Sequence, residues 1–444
     1  MSIARRLASQ SGLIFLTRLF GAGVVFLAQA GIARFWGAGV LADYLVVIAA
    51  VNIVAVVMPL GFETIGTYFA AEYRAHAARG LLAGFMRRAY GHIAITAVLL
   101  WFLGPLALPL LGHPGDVLAA HWLPVVIMAV ATAVVYCNSA LLVGLKRPYA
   151  GFFADTLFRP LLIVISLVLA GLALGETARL GWLLWLIALG FALIAAAQFA
   201  WVIRAVRTVE DTAEARPGEI GRWWRFALPW VLIALCTDFF FDIDLLLLSG
   251  LLSREDLAIF GVATRVFSLV AFGVSAVYAV TLPEMFEASA RADHDGFHRQ
   301  VGDANLVATG TALILLAIVV AGAPLLLALF GPEFAQGTGP LAILCLALLV
   351  RALFGPAALV LSIHDHPYAT LPAIGLGMAV LVGANLLLVP AHGLMGASLA
   401  ALIAQSVWSA AMWLTARRLA GVDVSIVPRL RTMAARYLGS AGAR

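Results

Sequence analysis

Apolar residues run along this chain in blocks too long for the core of a soluble protein, and the polar residues gather between the blocks. A helix that crosses a bilayer needs about 20 mostly apolar residues. On that measure the pattern predicts about 12 spans, near 10–34, 41–70, 89–112, 119–144, 154–174, 180–203, 224–250, 256–286, 303–330, 338–362, 369–389 and 394–416. The longest connections, at 72–88 and 206–222, are too short to hold a soluble domain.

The basic residues orient these spans, because cytoplasmic loops are enriched in Lys and Arg. With the N-terminus inside, the inner segments hold 21 of the 28 basic residues, among them Arg5, Arg6, Arg87, Arg88, Lys146, Arg147, Arg216, Arg291, Arg417, Arg418 and Arg444. The outer loops hold only Arg179 and Arg254. Adding or removing one span would destroy that asymmetry, so both termini are expected in the cytoplasm.

The polar segment 206–222 divides the spans six and six. The expected organisation is an N-terminal six-helix bundle over 1–205, a cytoplasmic linker over 206–222, a C-terminal six-helix bundle over 223–420 and a basic cytoplasmic tail over 421–444. Even halves imply an axis along the membrane normal. Leu41, Ala42 and Tyr44 at the start of the second span echo Leu257, Ala258 and Phe260 at the start of the eighth.

Composition agrees with an all-α integral membrane protein. Hydrophobic residues make up 63% of the 444 positions and charged residues only 11%, against about one quarter charged in soluble domains. The net charge of +5 is therefore a property of membrane-flanking loops and points to no nucleic-acid partner. Cys137, Cys236 and Cys345 each fall within an apolar run and form neither a metal-ligand spacing nor a disulfide framework. The first apolar run continues into a full span, unlike a cleavable signal. No phosphate-binding GxxxxGK[ST] loop is present, which excludes ATP hydrolysis by this chain. Outer loops such as 112–116 and 331–334 are too short to carry a catalytic constellation, so an enzyme is not expected, nor is any cofactor or metal.

Ionisable residues within the spans then become the candidates for function, since lipid makes them costly. The seventh span carries Asp238, Asp242 and Asp244. On a regular helix, at 100° per residue, Asp238 and Asp242 share one face while Asp244 points away. Asp238 and Asp242 are thus expected to line a wet lumen, and Asp244 to pair locally or sit near the outer surface. Arg18, Arg265 and Arg351 lie well inside spans one, eight and ten, and Glu63 lies in span two. Arg34 and Arg159 sit nearer span ends, where a long side chain can snorkel. Two readings stand side by side: a hydrated cavity whose arginines meet an anionic substrate, or fixed interhelical ion pairs kept for packing. Asp238, Asp242 and Glu63 serve as ion-coupling or charge-balancing groups under the first reading.

Other features have plainer readings. His364, Asp365 and His366 cluster in a short cytoplasmic loop, with a metal site the weaker option. Pro59, Gly61, Gly66, Pro229 and Pro283 mark kinks or close packing. The basic tail, with apolar residues interspersed, lies along the inner leaflet or is disordered.

At this point the residues resemble a family. TRLFGAGVVFLAQAGIARFWGAGVLADYLVVIAAV, followed by LGFETIGTYFAAEYRA, looks like the opening of bacterial polysaccharide transporters, the Wzx-type flippases of lipid-linked oligosaccharide (O-antigen). DIDLLLLSGLLSREDLAIFGVATRV is similar to their pattern around Asp244, Phe260 and Arg265. LFGPEFAQG resembles their outer turn between spans nine and ten. ANLLLVPAHGLMGASLAALIAQ resembles the signature leading into span twelve, here Asn385, Pro390, Gly393, Gly396 and Ala397. The resemblance runs along most of the chain.

That resemblance implies the MATE-like MOP superfamily, with two six-helix bundles around a central cavity. It implies a flippase of undecaprenyl-diphosphate-linked oligosaccharide in the bacterial inner membrane, serving lipopolysaccharide or exopolysaccharide synthesis. The partners would be that lipid-linked substrate, membrane lipids and polysaccharide polymerase or assembly proteins. Arg18, Arg265 and Arg351 would meet the diphosphate. A lipid II flippase shares the TRLFG opening, but the Arg-Asp pair expected after it is Val24-Val25 here, and two further C-terminal spans are absent. A proton- or sodium-coupled multidrug exporter fits the three aspartates better than the arginines, and a non-transporting scaffold would not need buried charge on several spans. The discriminating feature is which charges face the lumen: Arg18, Arg265 and Arg351, or only Asp238 and Asp242.

Overall fold

Buried in lipid, a backbone has no water to satisfy its polar groups, and helices satisfy them internally. The computed structural model, which describes residues 3–172, 179–211, 218–290 and 294–441, is helical almost throughout. Arg216, Arg291, Arg444 and part of the linker fall outside the described residues. Among the described residues the one bridge between extended segments joins Ala78 to Asp211.

Packing divides the chain into two compact units, 1–250 and 251–444. The first holds α1 (Ile3–Trp36), α2 (Ala38–Val57), α3 (Phe62–Ala75), α4 (Arg79–Ala107), α5 (His113–Ala120), α6 (Trp122–Gly144), α7 (Pro148–Phe153), α8 (Arg159–Gly171), α9 (Arg179–Arg207), α10 (Glu219–Asp238) and α11 (Phe240–Leu248). The second holds α12 (Arg254–Ala290), α13 (His294–Ala328), α14 (Thr338–Phe354), α15 (Ala357–Ile363), α16 (Leu371–Leu419) and α17 (Val427–Ala441).

Ten helical stretches among the described residues are long and apolar enough to cross a membrane. The last, Pro367–Leu419, has 53 residues. A straight helix of that length would measure about 80 Å, against a hydrocarbon core of about 30 Å. It does not run straight. Gly393 leaves helical geometry at φ 53°, ψ −132°, and a Cβ on Gly377 would stand 2.8 Å from that of Trp408. Residues 31 positions apart touch only if the chain doubles back, so α16 is a helical hairpin. A twelve-pass topology counts this hairpin twice and takes Glu219–Leu248 as a crossing.

Two expected spans are interrupted. The second, read as continuous over 41–70, breaks between α2 and α3, where Pro59 cannot donate to a helix, Leu60 has φ 53° and Gly61 φ 85°. Gly61 is required twice over: its φ is left-handed, and a Cβ there would run into the Ala227 carbonyl oxygen of α10. Gly61→Ala is expected to cost about 2–4 kcal/mol, strain and overlap together. Gly91→Ala, on α4 with nothing within 4 Å, is expected to be neutral or slightly stabilising. Equal melting temperatures for the two variants in detergent would refute the close approach.

The seventh span also breaks, at Phe239 (φ −113°, ψ 20°), between α10 and α11. Packing against the first unit accounts for the placement of both pieces there. At the start of α10, Arg222 donates to both carboxylate oxygens of Glu72 on α3 at 2.8 Å, and Trp223 Nε1 donates to the Tyr73 hydroxyl at 2.6 Å. That hydroxyl in turn donates to Glu219 at 2.5 Å. Nearby, the Gly80 N–H donates to Asp211 at 2.9 Å, tying the segment after α9 to the start of α4. The sequence division at 206–222 separates groups of spans; the packing division at Gly250 follows from these contacts.

In the second unit the chain after α16 is tightly held. Asn305 donates to the Val424 carbonyl at 3.0 Å and the Ile426 N–H to Leu353 at 3.0 Å. Asp423 accepts from Trp413 Nε1 at 2.7 Å and from the Ser425 N–H and hydroxyl at 3.0 and 2.7 Å. Burial alone would push the Asp423 carboxyl up, but these hydrogen bonds and the Arg417 charge bring it below the ordinary carboxylate range. A depressed pKa contributes stability that is present above the unfolded value and is lost as pH falls through the folded one. Docking of 422–426 is therefore expected to hold at neutral pH and to loosen in acid, below about pH 4. Protection factors at Ser425 and Ile426, taken relative to the intrinsic exchange rate at each pH, check this; protection undiminished below about pH 4 would contradict it.

Candidate functional site

The densest polar cluster inside the first unit grows from one irregular turn. Pro160 has no N–H to give to Thr156 four residues earlier, and its ring crowds that carbonyl. The chain answers with a single wide turn, Ala154–Phe158, closed by the Arg159 N–H on the Ala154 carbonyl. Such π-type turns recur at functional sites. Here the turn presents Thr156 oxygen to Gly21 of α1, where no Cβ would fit.

Arg159 is the centre of the cluster. It donates to Asp155 at 3.1 Å, to Asn52 Oδ1 of α2 at 3.4 Å and to Tyr136 of α6. Its guanidinium stands 5.0 Å from the Phe191 ring of α9. Asn52 then donates to Asp242 of α11 at 3.1 Å. One cation thus serves two carboxylates, one through an amide. The Arg159 side chain is 14% exposed and that of Asp155 39%, so the cluster has one open edge.

Arg18 lies along the same seam. Its guanidinium sits 4.8 Å from the Phe152 ring, while Gly21 faces Thr156 and Gly31 faces Leu167. Residue numbers rise together, so α1 runs parallel to α7 and α8. Arg18 is exposed. From the level of Phe152 to Arg159 is two turns, about 10 Å along the axis.

The carboxylates divide by burial. Asp238 is exposed, Asp242 is 8% exposed and Asp244 fully buried. This corrects the single face expected for Asp238 and Asp242: the break at Phe239 resets the rotation between them, and Asp242 turns into the cluster. Glu63 is buried at the first turn of α3, and among the described residues neither of its oxygens is in hydrogen-bonding geometry.

In the second unit Arg265 is half-buried on α12 and Arg351 is exposed on α14. The Arg351 charge reaches Tyr278, whose hydroxyl donates to Asn305 at 3.1 Å. His364, of the loop weighed as a metal site, has Nδ1 2.9 Å from the Val360 carbonyl and its ring edge-on to Phe297 at 5.4 Å.

Sequence reasoning missed Asn52, Asp155 and Tyr136, and took Arg159 for a snorkelling residue. The i,i+4 spacing of Asp155 and Arg159 was the available signal. Pro160 directly after Arg159 was the mark of a disturbed turn.

Neither a protein-family model nor a curated protein matches the chain. Solved structures do. An inward-facing multidrug-resistance MATE family transporter of the MOP superfamily superposes with a TM-score of 0.75 at 13% identity, over 92% of this chain and 98% of that one. The lipid II flippase MurJ, in an inward closed conformation, gives 0.68 at 11% identity over 91% and 87%. A mutant of the Vibrio cholerae MATE transporter VcmN gives 0.63 at 18% over 95% and 98%. The chain is thus a multi-pass, all-helical membrane protein with the fold shared by MATE transporters and MurJ.

Proposed function

We propose that the protein is a flippase that carries undecaprenyl-diphosphate-linked oligosaccharide from the inner to the outer leaflet of the bacterial cytoplasmic membrane. A sugar diphosphate cannot cross hydrocarbon unaided. Its passage needs a hydrated path, cations for the phosphates, and lateral access so that the polyprenyl tail stays in lipid. The observation that carries this reading is the accessibility of charge. Arg18 and Arg351 are exposed residues within long apolar helices, while Asp242, Asp244 and Glu63 are buried. An anionic head group finds cations to meet; a cationic drug finds few open carboxylates. Arg265 completes the set, and Arg159 would be the next cation beyond Arg18.

Glu63, Asp238 and Asp242 are assigned to charge balance or ion coupling. Asp242 is already compensated through Asn52. Glu63, buried at the first turn of α3, has no side-chain partner of that kind among the described residues, and an ionised carboxylate is costly to bury.

A second reading is favoured by one observation. Asp238 is exposed on α10, and the MATE neighbours are multidrug transporters; an ion-coupled exporter of cations would use that carboxylate. Lipid extracts of a deletion strain separate the two. The flippase reading predicts accumulation of undecaprenyl-diphosphate-linked oligosaccharide by mass spectrometry, cleared by the intact gene. Sensitivity to cationic drugs with no lipid-linked sugar would favour the exporter.

A further inference from the structure

The C-terminal helix α17 carries its apolar side chains outward. Val427, Leu430 and Met433 are 44%, 47% and 48% exposed. On a helix they fall, with Ala434, within one arc of about 120°. Arg429 and Arg431 flank that arc, each about 100° from its middle. Arg429 pairs with Asp303 of α13 and packs over Gly302; Arg431 is exposed. Just before, α16 ends in exposed Arg417, Arg418 and Leu419.

This helix is not a loose extension. Its entry, 422–426, is fixed to α13 by Asn305, to α14 by Leu353 and to α16 by Trp413. A helix anchored at its entry and through Arg429 that points an apolar strip outward, directly after a span-length helix, with basic residues at its flank, matches the chemistry of a bilayer surface. The apolar strip sinks to the acyl boundary, and the guanidiniums meet phosphates at headgroup level.

We propose that α17 is a membrane-surface helix that binds the anionic headgroups of the cytoplasmic leaflet through Arg417, Arg418 and Arg431, with Val427, Leu430 and Met433 inserted beneath them. Because α17 is tied to α13 and α14, its docking fixes the height of the second unit in the bilayer. The inference is independent of what the protein transports.

Hydrogen exchange of the full-length protein in nanodiscs tests it. Amides of 429–435 are expected to exchange about tenfold slower or more in phosphatidylglycerol-containing discs than in pure phosphatidylcholine, given the attraction of each basic residue to an anionic surface. High salt should erase most of that difference. Ser425 and Ile426, bonded internally, should stay protected in both lipids and serve as the reference. Arg431→Gln should reduce the lipid dependence, and Leu430→Glu with Met433→Glu should abolish it while the reference amides hold. Equal exchange in the two lipids would overturn the proposal, whether fast or slow. Protection that appears only in native membranes and not in protein-free lipid would overturn it in favour of a protein partner.

Discussion

Replacing Arg159 by alanine is expected to lower the stability of the purified protein by about 1–3 kcal/mol, between a surface and a buried ion pair, because the Arg159 side chain is 14% exposed and that of Asp155 39%. The variant leaves Asp155 without its cation, removes a donor from Asn52 and takes a cation away from the Asn52–Asp242 pair. Arg159→Lys keeps the charge but has no planar fork to reach Asp155, Asn52 and Tyr136 together, so it should recover part of the loss. Arg159→Met combined with Asp155→Leu should be far milder than Arg159→Ala alone, because removing both partners leaves no orphaned charge on that side. Thermal unfolding in detergent reads all three. A loss below about 1 kcal/mol for Arg159→Ala would mean that the cluster is as weak as a surface pair.

The second large effect is on transport with little on stability. Arg18 is exposed, and its contact with the Phe152 ring is worth about 0.5–1 kcal/mol at such a site. Arg18→Ala should therefore melt close to the parent. Each charge-assisted contact to a phosphate contributes about 1.5–3 kcal/mol, so Arg18→Ala and Arg351→Ala are each expected to slow clearance of lipid-linked oligosaccharide at least about tenfold. Arg18→Lys should fall between. The split between unchanged melting and lost clearance separates a substrate contact from a packing residue. Clearance at parental rate by both alanine variants would remove them from the site.

The membrane fold was legible because the hydrophobic effect writes itself in long blocks. Spans such as 119–144 and 180–203 correspond to α6 and α9, and the tight reversal expected after 389 is the turn at Gly393. Hydropathy is blind to breaks inside an apolar block, since the residues on either side stay apolar. Thus 41–70 read as one span although Leu60 and Gly61 turn the chain, and 224–250 read as one although Phe239 does. The misplacement of Asp242 followed directly, because a rotation counted along a regular helix cannot cross that break. Arg159 was misread for a related reason: distance from a span end says nothing about which neighbours a side chain meets. Its partners Asn52 and Tyr136 come from α2 and α6, more than 20 positions away, and only the folded chain brings them together. The tail showed its basic character in sequence, but the docking of 422–426 by Asn305 and Trp413 is a tertiary fact.

Reconstituted translocation tests the central claim most directly. The purified protein is placed in liposomes with a labelled undecaprenyl-diphosphate-linked oligosaccharide on one leaflet, and arrival on the other is followed by accessibility to an added glycosidase. The account predicts transfer by the parent and at least about tenfold less by Arg18→Ala. No transfer of the lipid-linked sugar, with counter-ion-driven uptake of a cationic dye that Asp238→Asn abolishes, would contradict it and make the protein an exporter of cations.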